Sequence, residues 1–423
     1  MLGMVDDVIG ITEAGSKAQQ LNVILNVKTS EKGLQYGIKK CKSMMIGKNQ
    51  ESSIYSDLMV DSWSQEYVEN VETGEGALVE TYNGELPIGK TSEYKYLGFI
   101  ISAKGDNMAN ISAMRKKSIG SIKTILHKLD ILNLKEYYFE CAVVFLNVML
   151  RGSILYAAKT YYNLTEIQLR NIERIEEGYL RKILKTSKGC PIVQLYLETG
   201  LWPARFEIQK LRLLFLKTIL EEEESTMITS FFKLQLQQPT RGDWVSTCKR
   251  DLKKLKMSEN FEEIKTMSRN KFVNMIKNKL SENALEYLLK KQGSKGKEII
   301  FESLEMAEYL LPFNNQLSIG EKQSMFAIRN RMVQIGDNFG EMEKCCCGIK
   351  ENMLHIYNCE YLNKNEIETS YENIHNGNRF EQIKVIRRFE TNLIKREEIK
   401  RKTEQTNSPC DQSNDPLNCV YTV

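Results

Sequence analysis

Apolar residues fall in short blocks at the start of the chain, and the blocks predict strands around one helix. Residues 2–5 and 8–12 are apolar runs separated only by Asp6 and Asp7, which predicts a hairpin with two carboxylates at its tip. An amphipathic helix follows, and residues 41–46 predict a short buried strand. The first part of the chain is therefore expected to combine antiparallel strands with a helix.

After a Ser-, Glu-, Gly- and Asn-rich stretch at residues 49–92, which predicts a loop-rich insertion or an extra hairpin, the pattern becomes helical. Residues 94–102 predict a strand, and helices are predicted at 108–129, 135–160 and 165–184, the second apolar nearly all round and hence buried. We predict an α+β chain divided into residues 1–104, a helical segment at 105–224, a helical linker at 225–340, a cysteine-rich region with a charged helix at 341–400, and a disordered tail at 401–423.

Composition narrows the class of protein. With 423 residues, 42% hydrophobic and 27% charged, the chain is expected to fold into two or three globular domains. It contains no apolar run of the roughly 20 residues that cross a bilayer and no secretory pattern after Met1, so we expect an intracellular protein of the nucleus or cytoplasm without membrane contact.

The formal charge of +4 is unevenly distributed. Residues 104–135 contain seven basic and two acidic residues, and residues 249–280 contain ten and four. Such tracts suit a phosphate backbone, and they are equally typical of the solvated faces of ordinary surface helices.

Four of the ten cysteines lie at residues 345–359, together with one of the three histidines. Cys345, Cys347, His355 and Cys359 form the spacing Cys-x-Cys, seven residues, His-x₃-Cys, which is typical of a tetrahedral Zn²⁺ site. The alternative is unligated cysteines that pack as small apolar residues. Cys346 can also take the place of Cys345 or Cys347, and the spacing leaves this choice open.

Asp6 and Asp7 have two readings. Adjacent carboxylates at a turn can hold two Mg²⁺ ions about 4 Å apart, as nucleotidyl transfer requires. Aspartate is also a favoured turn residue, so a plain hairpin tip is the alternative.

Three segments in order carry a resemblance to a known family. Met4-Val-Asp-Asp7 resembles the Phe/Tyr-x-Asp-Asp box of reverse transcriptases from retrotransposons without long terminal repeats. Residues 33–42 resemble the next motif of that family, Gly-Leu-x-x-Asn-x-x-Lys-Thr-Lys, and Tyr94-Lys-Tyr-Leu-Gly98 resembles its primer-grip hairpin. Residues 154–158, 197–203 and 326–332 are more loosely similar to thumb and post-thumb segments, so the likeness extends to about residue 362.

The resemblance implies a partial reverse-transcriptase palm, a helical thumb and a small zinc cluster. Asp6 and Asp7 would be Mg²⁺ ligands, and Lys40 would protonate or neutralise the leaving pyrophosphate, although an ordinary surface lysine is the alternative. The residues expected to bind an RNA template paired with a DNA primer are Tyr96, Leu97, Gly98, Arg115, Lys116, Lys117 and Lys123. Met4, Gly37 and Cys41 depart from the family pattern.

A similar Cys/His cluster follows the thumb in elements that carry a restriction-like endonuclease, and no acidic cluster of that endonuclease follows Cys359. A further carboxylate and the fingers are expected before Met1, so we expect an RNA-directed DNA polymerase that is incomplete and inactive alone. A non-catalytic nucleic-acid-binding module and a helical interaction protein remain the alternatives. The sequence leaves the oligomeric state open.

Overall fold

The structure is a computed structural model. It describes residues 2–4, 7–9, 11, 15–30, 41–44, 59–69, 76–87, 89–104, 107–186, 188–240, 242–292, 304–312, 317–333, 344–363, 369–376 and 379–407. These residues form a mostly helical protein with small β-ladders near the start, and they divide into two compact units. One unit comprises Met1–Lys117 with Thr160–Asn171, and the other comprises Ser118–Lys159 with Ile172–Val423.

The described strands of the first unit form four separate two-stranded ladders. The strands are β1 (Leu2–Met4), β2 (Asp7–Ile9), β3 (Lys42–Ser43), β4 (Met59–Glu69), β5 (Gly76–Pro87), β6 (Gly89–Lys90), β7 (Glu93–Tyr96) and β8 (Phe99–Ser102), with helix α1 (Gly15–Ser30) after β2. Antiparallel pairs join β1 to β2, β4 to β5 and β7 to β8, and β3 pairs with β6 in parallel. The predicted initial hairpin is confirmed, and so is the extra hairpin, in which Trp63 is the register partner of Tyr82.

Helices make up most of the remaining described chain. They are α2 (Met108–Leu132), α3 (Tyr138–Phe145), α4 (Gly152–Ile154), α5 (Glu166–Ile183), α6 (Ile192–Thr199), α7 (Ala204–Glu221), α8 (Met227–Gln237), α9 (Trp244–Lys254), α10 (Phe261–Thr266), α11 (Arg269–Gln292), α12 (Ile319–Arg329), α13 (Met353–Asn358), α14 (Asn373–Asn376) and α15 (Arg379–Asn407). Short 3₁₀ turns lie at Lys135–Tyr137, Ala158–Thr160 and Glu308–Leu310. No described helix is both long and apolar enough to cross a membrane.

Side chains at the helix starts explain several of these boundaries. Asp243 accepts a hydrogen bond from the Ser246 backbone N–H at 2.6 Å and so begins α9. Ser318 and Glu321 form a reciprocal capping box at the start of α12. These groups bind backbone N–H groups that have no partner inside the helix, which fixes where each helix begins.

Helices α7 to α11 share one apolar core, which includes Leu213, Leu216, Val245, Leu252, Phe272, Ile276 and Leu280. The buried ammonium of Lys217 lies at its edge and donates to the carbonyls of Ile264, Lys265 and Met267 at 2.9, 2.9 and 2.6 Å. These are the last carbonyls of α10 and the residue that follows it, so the lysine satisfies acceptors that the helix leaves open.

Two segments singled out by resemblance meet in a buried junction of the second unit. Glu198, which has no exposed surface, accepts hydrogen bonds from Tyr309 Oη at 2.7 Å and Asn330 Nδ2 at 3.2 Å, and Arg329 Nε lies 3.3 Å from it. Gly200 ends α6 in the left-handed region at φ 66°. Residues in the segments 197–203 and 326–332 therefore join α6 to α12.

Four sequence predictions need correction. The single strand predicted at residues 94–102 is the antiparallel hairpin of β7 and β8. The buried strand predicted at residues 41–46 is the shorter β3, in which Lys42 is exposed. The predicted helix at 135–160 is interrupted by a π-helical turn at Leu146–Arg151, and it is not buried all round, because Val144 and Val148 are 50% and 69% exposed. The predicted tail at 401–423 begins too early, since α15 continues to Asn407; residues 408–423 lie outside the described part of the chain. The helices predicted at 108–129 and 165–184 are confirmed as α2 and α5.

Candidate metal centre and nucleic-acid interface

The first three cysteines of the cluster lie on a tight knuckle. Lys344 and Lys350 form an antiparallel bridge, and between them Cys345 N–H donates to Ile349 O at 2.8 Å and Gly348 N–H donates to Cys345 O at 2.7 Å. Gly348 has φ 86°, a conformation that a residue without Cβ adopts readily. The turn brings the side chains of Cys345 and Cys347 to the same site although one residue separates them.

The short helix α13 supplies the other two donors. Asn352 caps it by accepting a hydrogen bond from the His355 backbone N–H at 2.7 Å. His355 lies inside the helix, and Cys359 follows its last residue. The cap therefore fixes the helix start three residues before the histidine and sets the direction in which the imidazole leaves the helix.

The four donor atoms of Cys345, Cys347, His355 and Cys359 all lie within 4.8 Å of one another. Cys345 Sγ lies 3.8 Å from Cys359 Sγ, and Cys347 Sγ lies 3.2 Å from His355 Nε2. Zn–S bonds of about 2.3 Å in a regular tetrahedron require S···S edges of about 3.8 Å. The four side chains thus form a group that can hold a metal ion, and its size is compatible with Zn²⁺.

Cys346 lies beside this group and is not one of its four members. Its Sγ is 3.6 Å from Cys345 Sγ. Of the alternatives that the spacing left open, the geometry favours Cys345 and Cys347 as the donors from the knuckle.

The thiols of the group differ in acidity. Burial raises the pKa of Cys345 and of Cys359 to about 11. Burial also acts to raise the pKa of Cys347, but hydrogen bonds from the Ile349 backbone N–H and from the neighbouring thiols outweigh it, so this pKa lies below its ordinary value. Without a metal the buried pair therefore stays protonated at neutral pH.

Helix α15 forms hydrogen bonds to the segments that carry the metal-binding group. Arg396 binds Glu351 through Nε and Nη2, both at 2.6 Å, and both side chains are almost fully buried. Asn392 Nδ2 donates to the carbonyls of Ile356 and Tyr357, in the helix that carries His355. None of the three residues was predicted, because Arg396 and Asn392 are polar positions in a charged helix and Glu351 is an acidic residue between the knuckle and α13.

The segment Tyr94–Gly98 forms the tight hairpin that the resemblance implies. Tyr96 pairs with Phe99, so that Leu97 and Gly98 alone make the turn, with φ 47° and 85°. Positive φ at both turn residues is typical of a type I′ hairpin. Leucine is a poor residue for this conformation, and holding it there costs on the order of 1–3 kcal/mol. Leu97 is 40% exposed, so the strained residue lies at the surface.

The start of helix α2 holds this hairpin in place. Asn110, which is 3% exposed, accepts from the Ile100 backbone N–H at 3.2 Å and donates to Tyr161 Oη at 2.7 Å. The ring centroid of Tyr161 lies 6.3 Å from that of Phe99. Asn110 was not predicted as important, and its only sequence signal is a polar residue at an inward-facing helical position.

The basic residues predicted on α2 are exposed. Arg115, Lys116, Lys117 and Lys123 all lie on its solvent side, and buried Ile111, Ile122, Ile125 and Leu129 define its inner side. Asp130 is the first acidic residue in this helix. Its outer face therefore presents positive charge over most of its length.

The predicted catalytic residues can be placed only in part. Asp7 is the first residue of β2 and the register partner of Met4, so it belongs to a strand and not, as predicted, to the tip between the two strands. Asp6 and Lys40 lie outside the described residues. The predicted arrangement of Asp6, Asp7 and Lys40 around Mg²⁺ stays a prediction.

No protein-family model, curated protein or solved structure matches this chain.

Proposed function

We propose that this chain is the C-terminal part of a reverse transcriptase from a retrotransposon without long terminal repeats, and that it holds the RNA template paired with the DNA primer. The observation that carries the proposal is the order of the Asp6-Asp7 hairpin, the Lys40 segment and the Tyr96-Leu97-Gly98 hairpin in the sequence. The type I′ turn at Leu97 and Gly98, followed directly by the basic helix α2, supports it.

The β7–β8 hairpin and helix α2 can contact different parts of an RNA–DNA hybrid duplex. An exposed turn with Gly98 lets the backbone approach a primer strand closely. Lys116 and Lys123 share one face of α2 and lie about 10 Å apart along its axis. That distance corresponds to about three phosphates of one strand, so the two ammonium groups can contact the same backbone.

In the proposed enzyme, Asp6 and Asp7 hold Mg²⁺, which would activate the primer hydroxyl and stabilise the leaving pyrophosphate. Lys40 would neutralise charge on that pyrophosphate. These three residues are thus the proposed contribution of this chain to the RNA-directed DNA polymerase activity of the whole enzyme.

We also propose that the metal held by Cys345, Cys347, His355 and Cys359 is Zn²⁺. Three thiolates and an imidazole are ligands that zinc prefers, and four protein donors leave no open position for a substrate. The zinc would therefore order the knuckle and helix α13, and this region would contribute to nucleic-acid binding as a folded unit.

Binding to a primed RNA template tests the proposal. The purified chain should bind an RNA–DNA hybrid more tightly than a DNA duplex of the same length, and its log Kd should depend linearly on log salt. Replacing Lys116 and Lys123 by alanine should reduce the salt slope by about two. The control replaces Lys182 and Lys290, two exposed lysines outside both basic tracts, and should leave the slope unchanged. Equal binding of hybrid and DNA duplex, with the same slope in both variants, would contradict the proposal.

A non-catalytic nucleic-acid-binding module remains the second candidate, because the basic helix and the metal centre do not involve the aspartates. Substituting Asp6 and Asp7 by asparagine separates the two candidates. In the polymerase, Mg²⁺ should tighten binding of a primed template by the wild-type chain and not by the double variant. In the non-catalytic module, Mg²⁺ should affect both proteins equally.

A further inference from the structure

An open pocket of about 600 Å³ lies in the second unit, and its lining includes none of the metal-binding residues. One wall is the π-helical turn Leu146–Arg151 with the residues after it, and the other is the segment from Gly200 into α7. Its volume is in the range of small-ligand sites, and single π-helical turns occur frequently at functional sites. The side chains that matter here are Asn147, Tyr156, Trp202, Glu207 and Lys210.

A buried arginine positions the polar groups of this pocket. Arg151 is 6% exposed and donates to Glu176 at 2.7 Å, to Asn147 Oδ1 at 3.0 Å and to Glu207 Oε1 at 3.4 Å. A further hydrogen bond to Trp202 O ties it to the opposite wall. Because Asn147 and Glu207 accept from the same guanidinium nitrogen, their polar groups lie next to each other.

This arrangement presents a hydrogen-bond donor beside an acceptor. The Oδ1 of Asn147 is engaged by Arg151, so its amide N–H groups are turned to other partners. The carboxylate of Glu207 contacts both Arg151 and Lys210, which compensate its charge. A donor next to an acceptor matches the edge of an unpaired nucleobase, which carries an amino or imino N–H beside a ring nitrogen or carbonyl.

Two aromatic rings and a cation complete the pocket. Tyr156 is 61% exposed and Trp202 is half-buried. Lys210 Nζ lies over one face of the Trp202 ring, 5.1 Å from its centroid, so a base would stack on the opposite face of that ring. Planar rings stack on bases, and an ammonium at the rim suits the adjoining phosphate. In a duplex the edge of each base is already hydrogen-bonded to its partner and its faces are stacked on neighbouring bases. Only a single strand therefore has a base whose edge and face are both free to contact the pocket.

We propose that this pocket binds one unpaired nucleobase of a single-stranded nucleic acid, with Tyr156 and Trp202 as stacking surfaces, Asn147 and Glu207 on the base edge, and Lys210 near the phosphate. The inference rests on the proposed function, which it deepens, because a strand that enters or leaves the hybrid is unpaired. Arg151 acts as a positioning residue.

The test uses the 423-residue chain and fluorescently labelled single-stranded RNAs of about 12 nucleotides, with a ribose-phosphate oligomer without bases as the probe for phosphate binding alone. Tyr156→Ala should weaken binding of base-bearing oligomers about 5- to 150-fold at every salt concentration, without changing the salt slope. Binding of the base-free oligomer should not change. Asn147→Ala should weaken binding about 2- to 12-fold, the effect of one hydrogen bond.

Two control variants separate stacking from folding. Tyr156→Phe keeps the ring and should bind as the wild type does. Tyr137→Ala removes an equally accessible ring, 50% exposed, outside the pocket lining and should have no effect. Binding of the hybrid duplex, measured in parallel, should be the same for all variants.

The outcomes distinguish this inference from the proposed function. If the chain binds the hybrid but Tyr156→Ala binds base-bearing RNA as tightly as the wild type, the pocket proposal is overturned alone. It is also overturned if the base-free oligomer binds as tightly as RNA. If neither hybrid nor single-stranded RNA binds, both proposals fail.

Discussion

The thiols of Cys346 and Cys347 are neighbours in sequence, but only Cys347 belongs to the group of four donors. Replacing each by serine in turn therefore provides a perturbation with a matched control. Cys347→Ser removes a donor whose Sγ lies 3.2 Å from His355 Nε2. Cys346→Ser removes a thiol of the same chemistry from the same knuckle and leaves the four donors intact.

The size of the effect follows from the number of ligands. Structural zinc sites of this kind contribute about 10–16 kcal/mol of apparent binding free energy at neutral pH. Shared among four ligands, each accounts for about 2.5–4 kcal/mol. Cys347→Ser should therefore weaken zinc binding about 70- to 900-fold, and Cys346→Ser should leave it within experimental error of the wild type.

Competition with a zinc-binding dye measures the affinity, and cobalt substitution identifies the ligands. The absorbance of the thiolate-to-cobalt charge-transfer band reflects the number of thiolates on the metal. It should be the same for the wild type and Cys346→Ser, and it should fall by about a third in Cys347→Ser, since one of three thiolates is lost. Circular dichroism of both variants, each saturated with zinc, controls for folding.

One pattern would refute the geometric assignment. If Cys346→Ser lost zinc while Cys347→Ser kept it, the ligand set would have to include Cys346, and the knuckle would have to turn differently. If both variants and the wild type bound zinc with the same weak affinity, the cluster would not be a metal site.

Three further predictions concern pH and stability. Zinc affinity should rise at least about 100-fold per pH unit from pH 6 to 8 in a titration, because Cys345 and Cys359, with pKa about 11, each lose a proton when they bind zinc, and Cys347 adds to the rise wherever its thiol is protonated. Gly200→Ala should lower the free energy of unfolding by about 2–5 kcal/mol in urea, because φ is 66° and the new Cβ would lie 2.4 Å from backbone atoms of Glu305 and Met306. Leu97→Asn should stabilise the first unit by about 0.5–1 kcal/mol and raise its melting temperature, because asparagine tolerates the left-handed turn. An unchanged or lower melting temperature would show that Leu97 is not strained.

The metal-binding group was predictable because its information is local. All four donors lie within residues 345–359, and a knuckle with Gly348 followed by an Asn-capped helix is fixed by short-range hydrogen bonds. The choice between Cys346 and Cys347 was not predictable, since it depends on which side of the turn each thiol leaves. The hairpin at residues 93–102 was implied only by the resemblance, because the apolar pattern predicted one continuous strand there, and the type I′ turn with a leucine was not predicted.

The supporting residues could not be predicted, because their partners are distant in sequence. Arg396 binds Glu351 across 45 positions, and Asn330 binds Glu198 across 132. Helical periodicity assigns such residues to a solvated face unless the partner is known. The π-helical turn in the predicted helix at 135–160 was not predictable either. The apolar content of a segment does not reveal where the backbone hydrogen-bond register of the helix changes.

The buried ion pair behind the metal centre bears on what the metal does. Desolvation of Glu351 and Arg396 costs about as much as their attraction returns, so the pair contributes little net stability while fixing the position of α15. The knuckle between Lys344 and Lys350 is short and has few apolar side chains. If the group binds zinc as proposed, metal binding would be the main favourable term that holds the knuckle to the helix, and removal of zinc should free the knuckle before it unfolds α15.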